Sequence, residues 1–418
     1  MNKIFTIGLA LMTVGQVWAQ TSKEVATGAS YVNDAYYSLE NGTVGTQARS
    51  NWDIAFATDR YSISILANNG YGVELYTYPN GNSNAWASVD IANIGDWTQM
   101  YNSTSDIDAG AFTKNMVPGD DFDYGWGRYN MGTHFIEGDS LFIVKTVAGT
   151  YKKLLIINKN PNTGGNAWQF KYADIDGANE QTITITADDY ITKNYVFYSI
   201  DNDVVVDREP ASNDWDLLFT KYYDYAIPYN VTGVMINSKH ITAQEVDGVT
   251  AATYTAYEET SFIDSLTIIG SDWKSFNMST YNYEVDADRV YFLKQMTNNG
   301  ADSSYWKIYF TAFSGSFTGV YTFNQENLSS SSIDELESLS MFEIYPIPAK
   351  NSINLIFDTK EALTVNIYDI QGRLIHSVYI NNIGFSQQKI DVSSFKSGVY
   401  IMQLSNMKGL FEQRFVIE

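Results

Sequence analysis

Ser50-Asn51-Trp52-Asp53-Ile54-Ala55-Phe56 decides the reading of this chain, because it occurs again as Asn213-Asp214-Trp215-Asp216-Leu217-Leu218-Phe219. Each occurrence follows an aromatic, strand-like run: Tyr36-Tyr37-Ser38-Leu39-Glu40-Asn41 in the first copy, Val196-Phe197-Tyr198-Ser199-Ile200-Asp201-Asn202 in the second. Each precedes a block in which Met stands five positions after Trp. These blocks are Trp126-Gly127-Arg128-Tyr129-Asn130-Met131 and Trp273-Lys274-Ser275-Phe276-Asn277-Met278. Residues 141–145 and 290–294 then correspond, as do 151–158 and 305–311. Blocks recurring in one order define a duplication. The longer Trp-to-Trp interval of the first copy places extra loop around 80–84 and 118–125, where turn formers collect.

Within the copies the local period is two. Tyr61-Ser62-Ile63-Ser64-Ile65-Leu66 and Thr182-Ile183-Thr184-Ile185-Thr186 alternate, which predicts antiparallel strands with one buried and one wet face. No long amphipathic helix is expected between 22 and 328. An aromatic content of 15%, with 31 Tyr, favours pleated surfaces in the same way. At 418 residues, two to three domains are expected. The net charge of −22 argues against nucleic acid or an anionic lipid surface as partner, since both demand a basic patch. With no cysteine, disulfides, thiolate metal sites, a Cys nucleophile and a lipid-modified N-terminal Cys are all excluded. Met1-Asn2-Lys3, the apolar run 4–14 and Val17-Trp18-Ala19 before Gln20 form a secretory signal; no later run is long enough to span a membrane.

The C-terminal stretch has its own motifs. Tyr345-Pro346-Ile347-Pro348-Ala349 is followed by Asn366-Ile367-Tyr368-Asp369-Ile370-Gln371-Gly372-Arg373. Asp391-Val392-Ser393-Ser394-Phe395-Lys396-Ser397-Gly398-Val399-Tyr400-Ile401 comes next, then the apolar Phe415-Val416-Ile417. In this order they resemble the sorting domain of type IX secretion substrates. Ile347 departs from that pattern, which usually has Asn between the prolines. The resemblance implies export across the outer membrane, sorting-domain removal, and the secretion machinery and its sortase as partners.

The catalytic inventory is thin. There is no H-E-x-x-H, G-x-S-x-G, phosphate loop or dinucleotide fingerprint. Of three His, His376 reads as structural, His240 as a surface residue at a loop end, and His134 as a binding candidate. Asp106, Asp108, Asp120, Asp121 and Asp123 offer oxygens to Ca²⁺ but match no loop pattern, so solvated loops are the plainer reading. Trp52, Phe56, Trp215 and Phe219 read as core, with the following Asp pairing a neighbouring turn; exposed aromatics would instead stack on sugars or a flat cofactor.

Each copy also resembles the HmuY-type haem-binding fold, through Asn51-Trp52-Asp53 after an aromatic strand, Gly125-Trp126, and the 141–145 strand with its hairpin. That family grips haem iron axially with two side chains. The resemblance puts Met131 where a ligand would stand, Met278 at the equivalent place, and Met100 as a second candidate. Thioethers can ligate haem iron, while Met among aromatics is otherwise core filler. The expected fold is all-β: a signal peptide (1–19), two tandem antiparallel HmuY-like β domains (20–190 and 191–328), a linker (329–340) and an Ig-like β-sandwich sorting domain (341–418). The expected function is non-enzymatic ligand binding outside the cell or at its surface, with haem or a related porphyrin as candidate cofactor. The alternatives are a structural or adhesive module without cofactor and a module for glycan binding or hydrolysis through exposed Trp or Tyr and acidic side chains.

Overall fold

The computed structural model describes residues 20–162, 165–297, 300–329, 336, 338–406 and 410–418. The signal peptide assigned to 1–19 and the linker residues 330–335 and 337 lie outside them. The chain divides into two compact units after Leu328. Strands joined by loops make up the described residues of both units, with 3-10 turns in the first, so the all-β expectation holds.

The first unit, the body, contains two lobes of two sheets each. In the first lobe the outer sheet runs β13 (Gln181–Thr186), β12 (Ala167–Asp174), β11 (Tyr151–Asn160), β10 (Leu141–Lys145), β6 (Glu74–Thr77), β7 (Gln99–Met100). A hairpin of β8 (Gly127–Tyr129) and β9 (Ile136–Gly138) attaches to β11. The inner sheet runs β15 (Val204–Val206), β14 (Tyr195–Ser199), β4 (Ile54–Ala57), β5 (Ile65–Ala67). The second lobe repeats the plan. Its outer sheet is β1 (Thr21–Ala26), β23 (Val320–Asn327), β22 (Asp302–Phe313), β21 (Val290–Thr297), β18 (Ile241–Val246). Its inner sheet is β17 (Tyr229–Ile236), β16 (Leu217–Asp224), β2 (Asn33–Ser38), β3 (Gly42–Ala48), and its hairpin is β19 (Lys274–Asn277) with β20 (Asn282–Val285).

The two copies exchange strands. β14 follows residue 191, yet it pairs with β4 in the first lobe, Val196 opposite Phe56. β1, β2 and β3 open the first copy, yet β2 pairs with β16, Tyr37 opposite Leu217, and β1 pairs with β23. A division at 190/191 therefore does not separate the lobes. One core gathers Ile54, Phe56, Val196 and Tyr198 against Phe142, Leu154, Trp168 and Phe170; the other gathers Ala35, Tyr37, Leu217 and Phe219 against Tyr291, Ile308, Tyr321 and Phe323.

The strands β2, β4 and β14 of the inner sheets are buried on both faces. Ile54 and Phe56 point into the first core, while Ala55 and Ala57 belong to a separate cluster with Trp52, Tyr195 and Phe197. This is why Ile54-Ala55-Phe56-Ala57 does not alternate in polarity. The strand expected over 61–66 starts only at Ile65. The buried Lys159 ammonium donates to the carbonyls of Asp59 and Ser62 and lies 4.6 Å over the Trp168 ring, which bends that segment into a loop. Burial pulls the Lys159 pKa down to about 7.

Among the described residues the second unit is a seven-strand sandwich. β24 (Leu339–Tyr345), β25 (Ser352–Thr359) and β28 (Gly384–Asp391) form one sheet; β27 (Leu374–Ile380), β26 (Leu363–Asp369), β29 (Gly398–Ser405) and β30 (Leu410–Ile417) form the other. Ile353, Leu355 and Phe357 meet Val365, Ile367, Met402 and Leu404 in its core. The Asp369–Arg373 motif is the β26–β27 turn: Asp369 Oδ1 accepts from the amides of Gln371 and Arg373, and Gly372 takes a positive φ. Tyr400 Oη donates to the Lys396 carbonyl at 2.9 Å. The linker assigned through 340 is shorter than expected, because Leu336 is buried in this core and β24 starts at Leu339.

Candidate functional site

The duplicated Trp-Asp pair is a structural joint. Asp53 accepts from the amides of Val147 and Ile200, both at 2.7 Å. Asp216 accepts from the amide of Leu39 at 2.7 Å and the side-chain nitrogens of His240 and Gln295 at 2.9 Å. Ile200 and Leu39 follow the exchanged strands β14 and β2, so each carboxylate fastens a strand of the other copy. Asn68 and Asn237 repeat one arrangement that the sequence reading missed. Asn68 Nδ2 donates to the carbonyls of Arg49 and Trp52, Asn237 Nδ2 to those of Ser212 and Trp215. His240 is not a surface residue: Asp216 draws it inside, to 8% exposure. Trp52, Phe56, Trp215 and Phe219 are buried, so none is an exposed stacking platform.

Between the inner sheets lies a cavity of about 150 Å³. The first lobe contributes Trp52, Tyr195 and Phe197, and the second Tyr36, Trp215 and Leu218. Phe197 packs edge-on against Trp52 at 5.0 Å and Tyr36 against Trp215 at 5.2 Å, so the walls carry the duplication. The loop at 102–107 closes one side: Leu266 and Thr267 donate their amides to the Ser105 and Thr104 carbonyls. Gly70 comes so near β16 that a Cβ there would stand 2.0 Å from the Lys221 carbonyl oxygen.

The polar part of the wall is charged and buried. Asp34 takes Arg208 Nη2 at 2.8 Å, Arg49 Nε at 3.3 Å and the Thr220 hydroxyl at 2.5 Å. Arg208 lies over the rings of Phe197 and Trp52, 5.1 and 5.6 Å from their centroids. Glu209 accepts from the Tyr195 amide at 2.8 Å, and burial pushes its carboxyl up to about 8. Among the described residues, Trp52 Nε1, Trp215 Nε1 and Arg208 Nε are buried without a hydrogen-bond partner.

The residues singled out for haem are dispersed. Met131 and Met278 sit at the tips of the β8–β9 and β19–β20 hairpins, each 72% exposed, so neither is core filler. The tips share one build. Asn130 Oδ1 accepts from the amides of Gly132 and Thr133, and Asn277 Oδ1 from those of Ser279 and Thr280. His134 and Tyr281 close them with φ of 60° and 55°. An Asn-centred turn leaves the next side chain pointing at water, which the Trp-to-Met spacing alone did not reveal. His134 shares the Met131 hairpin and bonds Tyr129 Oη through Nδ1 at 2.7 Å. Met100 is buried on β7, its sulfur accepting from the Thr77 hydroxyl at 3.3 Å. β7 joins the sheet at β6 and the Met131 hairpin at β11, while Met278 belongs to the other lobe. This set does not fit a two-ligand haem, and the cavity is about half the smallest usual volume for drug-sized ligands, roughly 300 Å³. Of the carboxylates considered for Ca²⁺, Asp120 pairs Arg128 at 2.8 Å, Asp108 pairs Lys239 at 3.0 Å, and Asp123 accepts from the amides of Val117 and Gly125.

Residues 343–418 match the family model described as secretion system C-terminal sorting domain. The second unit is thus a type IX sorting domain; the protein is secreted, extracellular or attached to the cell surface, and the secretion machinery is its partner. Among the described residues no helix is long and apolar enough to cross a membrane. The chain is similar to an endo-acting ulvan lyase of Formosa agariphila, 28% identical over 134 residues, 29% of this chain and 26% of the relative. It spans about a quarter of that relative's length. A solved structure, the BSP domain of a biofilm associated protein, aligns with 97% of this chain and 67% of its own at 9% identity, with a TM-score of 0.16.

Proposed function

We propose that the body is a non-catalytic binding protein that works outside the cell and takes a small ligand between its two lobes. The observation that carries this reading is the cavity itself: both copies bring their Trp and an edge-packed aromatic to it, and buried charges line it. Duplicated walls around one space are what a single shared site requires, and lobe interfaces are where small-molecule sites concentrate. Removal of the sorting domain by a sortase after export belongs to the same proposal.

The test is calorimetry of the whole chain against a panel of small acids, amines, neutral aromatics, sugars and haemin. Saturable binding of one small ligand, abolished by Leu66→Phe at the cavity wall, supports the reading. Binding unaffected by that change places the ligand elsewhere. A haemin Soret shift weakened by Met131→Leu or Met278→Leu would move the site to the hairpin tips.

A further inference from the structure

We infer that the inter-lobe cavity is built for a carboxylate-bearing small molecule, held by the indole N–H groups of Trp52 and Trp215 and by Arg208 Nε. This rests on the inter-lobe binding reading above and gives its ligand a chemical class.

Three observations converge. First, every buried unpartnered side-chain polar atom on the cavity wall, among the described residues, is an N–H donor. Two of them are the same atom of the duplicated Trp, one from each lobe. Trp52, Trp215 and Arg208 are 8%, 5% and 4% exposed, so these donors are largely shielded from solvent. A buried donor without an acceptor is costly, and three such donors on residues that line one cavity favour an acceptor-rich group.

Second, the charges favour an anion. Arg49 and Arg208 share the single carboxylate of Asp34. Glu209 retains its proton at neutral pH, because burial holds it up at about 8. Arg208 on the wall and Arg49 behind it thus face one ionised buried carboxylate, Asp34, with Lys221 and Asp106 farther along the lining, in a protein of net charge −22. A carboxylate would complete that balance with charge-assisted hydrogen bonds.

Third, size and surface limit what carries the carboxylate. About 150 Å³ is the scale of a cavity that holds a benzene-sized molecule. Tyr36, Phe197 and the two indoles offer apolar walls to the rest of such a molecule.

The experiment titrates the whole chain calorimetrically with benzoate and with glucuronate, against benzyl alcohol and methyl glucoside as neutral counterparts. The two acids separate a free aromatic acid from a sugar acid as source of the carboxylate. One acid is expected to bind at least about tenfold more tightly than its neutral counterpart, and Trp52→Phe or Trp215→Phe to weaken it by about tenfold, since each removes one donor to a charged group while keeping an aromatic ring. Two-dimensional NMR of the unmodified chain supplies a second readout, with the indole N–H resonances of Trp52 and Trp215 moving on binding and that of Trp97 staying put. Equal binding of acid and neutral partner, or unmoved Trp52 and Trp215 resonances, overturns the carboxylate assignment while leaving the cavity reading intact. If all four probes fail to bind while a cationic or neutral ligand from the wider panel does, only the carboxylate assignment falls. If no ligand of either set binds, both readings fall.

Discussion

Replacing Asp216 by alanine should destabilise the body far more than an average substitution. Its carboxylate is 1% exposed and accepts three hydrogen bonds, from the Leu39 amide, His240 Nε2 and Gln295 Nε2. His240 gains nothing by shifting its proton to Nδ1, which is buried without a partner, so its donor is stranded as well. The other two donors are fixed. Leu39 belongs to the backbone after β2, and Gln295 Oε1 already accepts from Ser304 and Trp306. Each of the three stranded donors costs about 1–3 kcal/mol, so the change should cost about 3–9 kcal/mol, against about 1 for a typical substitution. At roughly 2 °C per kcal/mol for a body of this size, the melting temperature should fall by roughly 6–18 °C. Tryptophan fluorescence during urea or thermal unfolding reports the body alone, since none of the nine Trp lies after residue 306. Asp216→Asn, which retains one oxygen, should cost less, and Asp53→Ala should cost about 2–6 kcal/mol because it strands the amides of Val147 and Ile200. A loss under about 1 kcal/mol for both alanine variants would refute the idea that these carboxylates fasten the exchanged strands.

Stability should fall between about pH 4.5 and pH 8. The unfolded chain releases the Glu209 proton near 4.5 while the folded one keeps it to about 8, so rising pH favours unfolding by up to about 5 kcal/mol across that window. Glu209→Gln should reduce the slope between pH 5 and 7, as read by urea midpoints, leaving the share of Glu245, which burial raises to about 7 with the same sign; Lys159, depressed to about 7, acts with opposite sign and chiefly above that range. Brief peroxide treatment followed by peptide mass spectrometry should oxidise Met131 and Met278 first and spare Met100, following their exposure of 72%, 72% and 6%. Gly70→Ala should cost about 1–3 kcal/mol in urea unfolding, because its Cβ forces Gly70 and Lys221 apart.

The duplication was legible because each copy needs its own Trp-Asp joint, and those side chains cannot be varied without stranding the same donors. The sorting domain was legible for a similar reason: its Asp-to-Arg turn is built from side chains adjacent in sequence. Strand exchange was not. A period-two pattern tells which face is buried but says nothing about which copy supplies the partner, and Ile54-Ala55-Phe56-Ala57 fits one pairing as well as the other. The cavity escaped for the same reason. Asp34 and Arg208 meet across 174 positions, and neither looks unusual alone. His240 and the two tip methionines were misplaced because burial depends on partners distant in sequence in the first case and on a local Asn turn in the second.

The pairing of β1 with β23 has a consequence for the order in which the chain matures. Residues 54–206 contain every strand of the first lobe, so that lobe can close while the remainder is still being made. The second lobe cannot. Its opening strand, Thr21–Ala26, must wait for Val320–Asn327, nearly the whole length of the body later. Until then Tyr37 and its neighbours on β2 lack their core, and the early N-terminal segment is exposed to proteases and chaperones. The body is finished only as its last strand emerges, immediately before the sorting signal, so an interrupted or truncated chain would lack both a closed second lobe and its address.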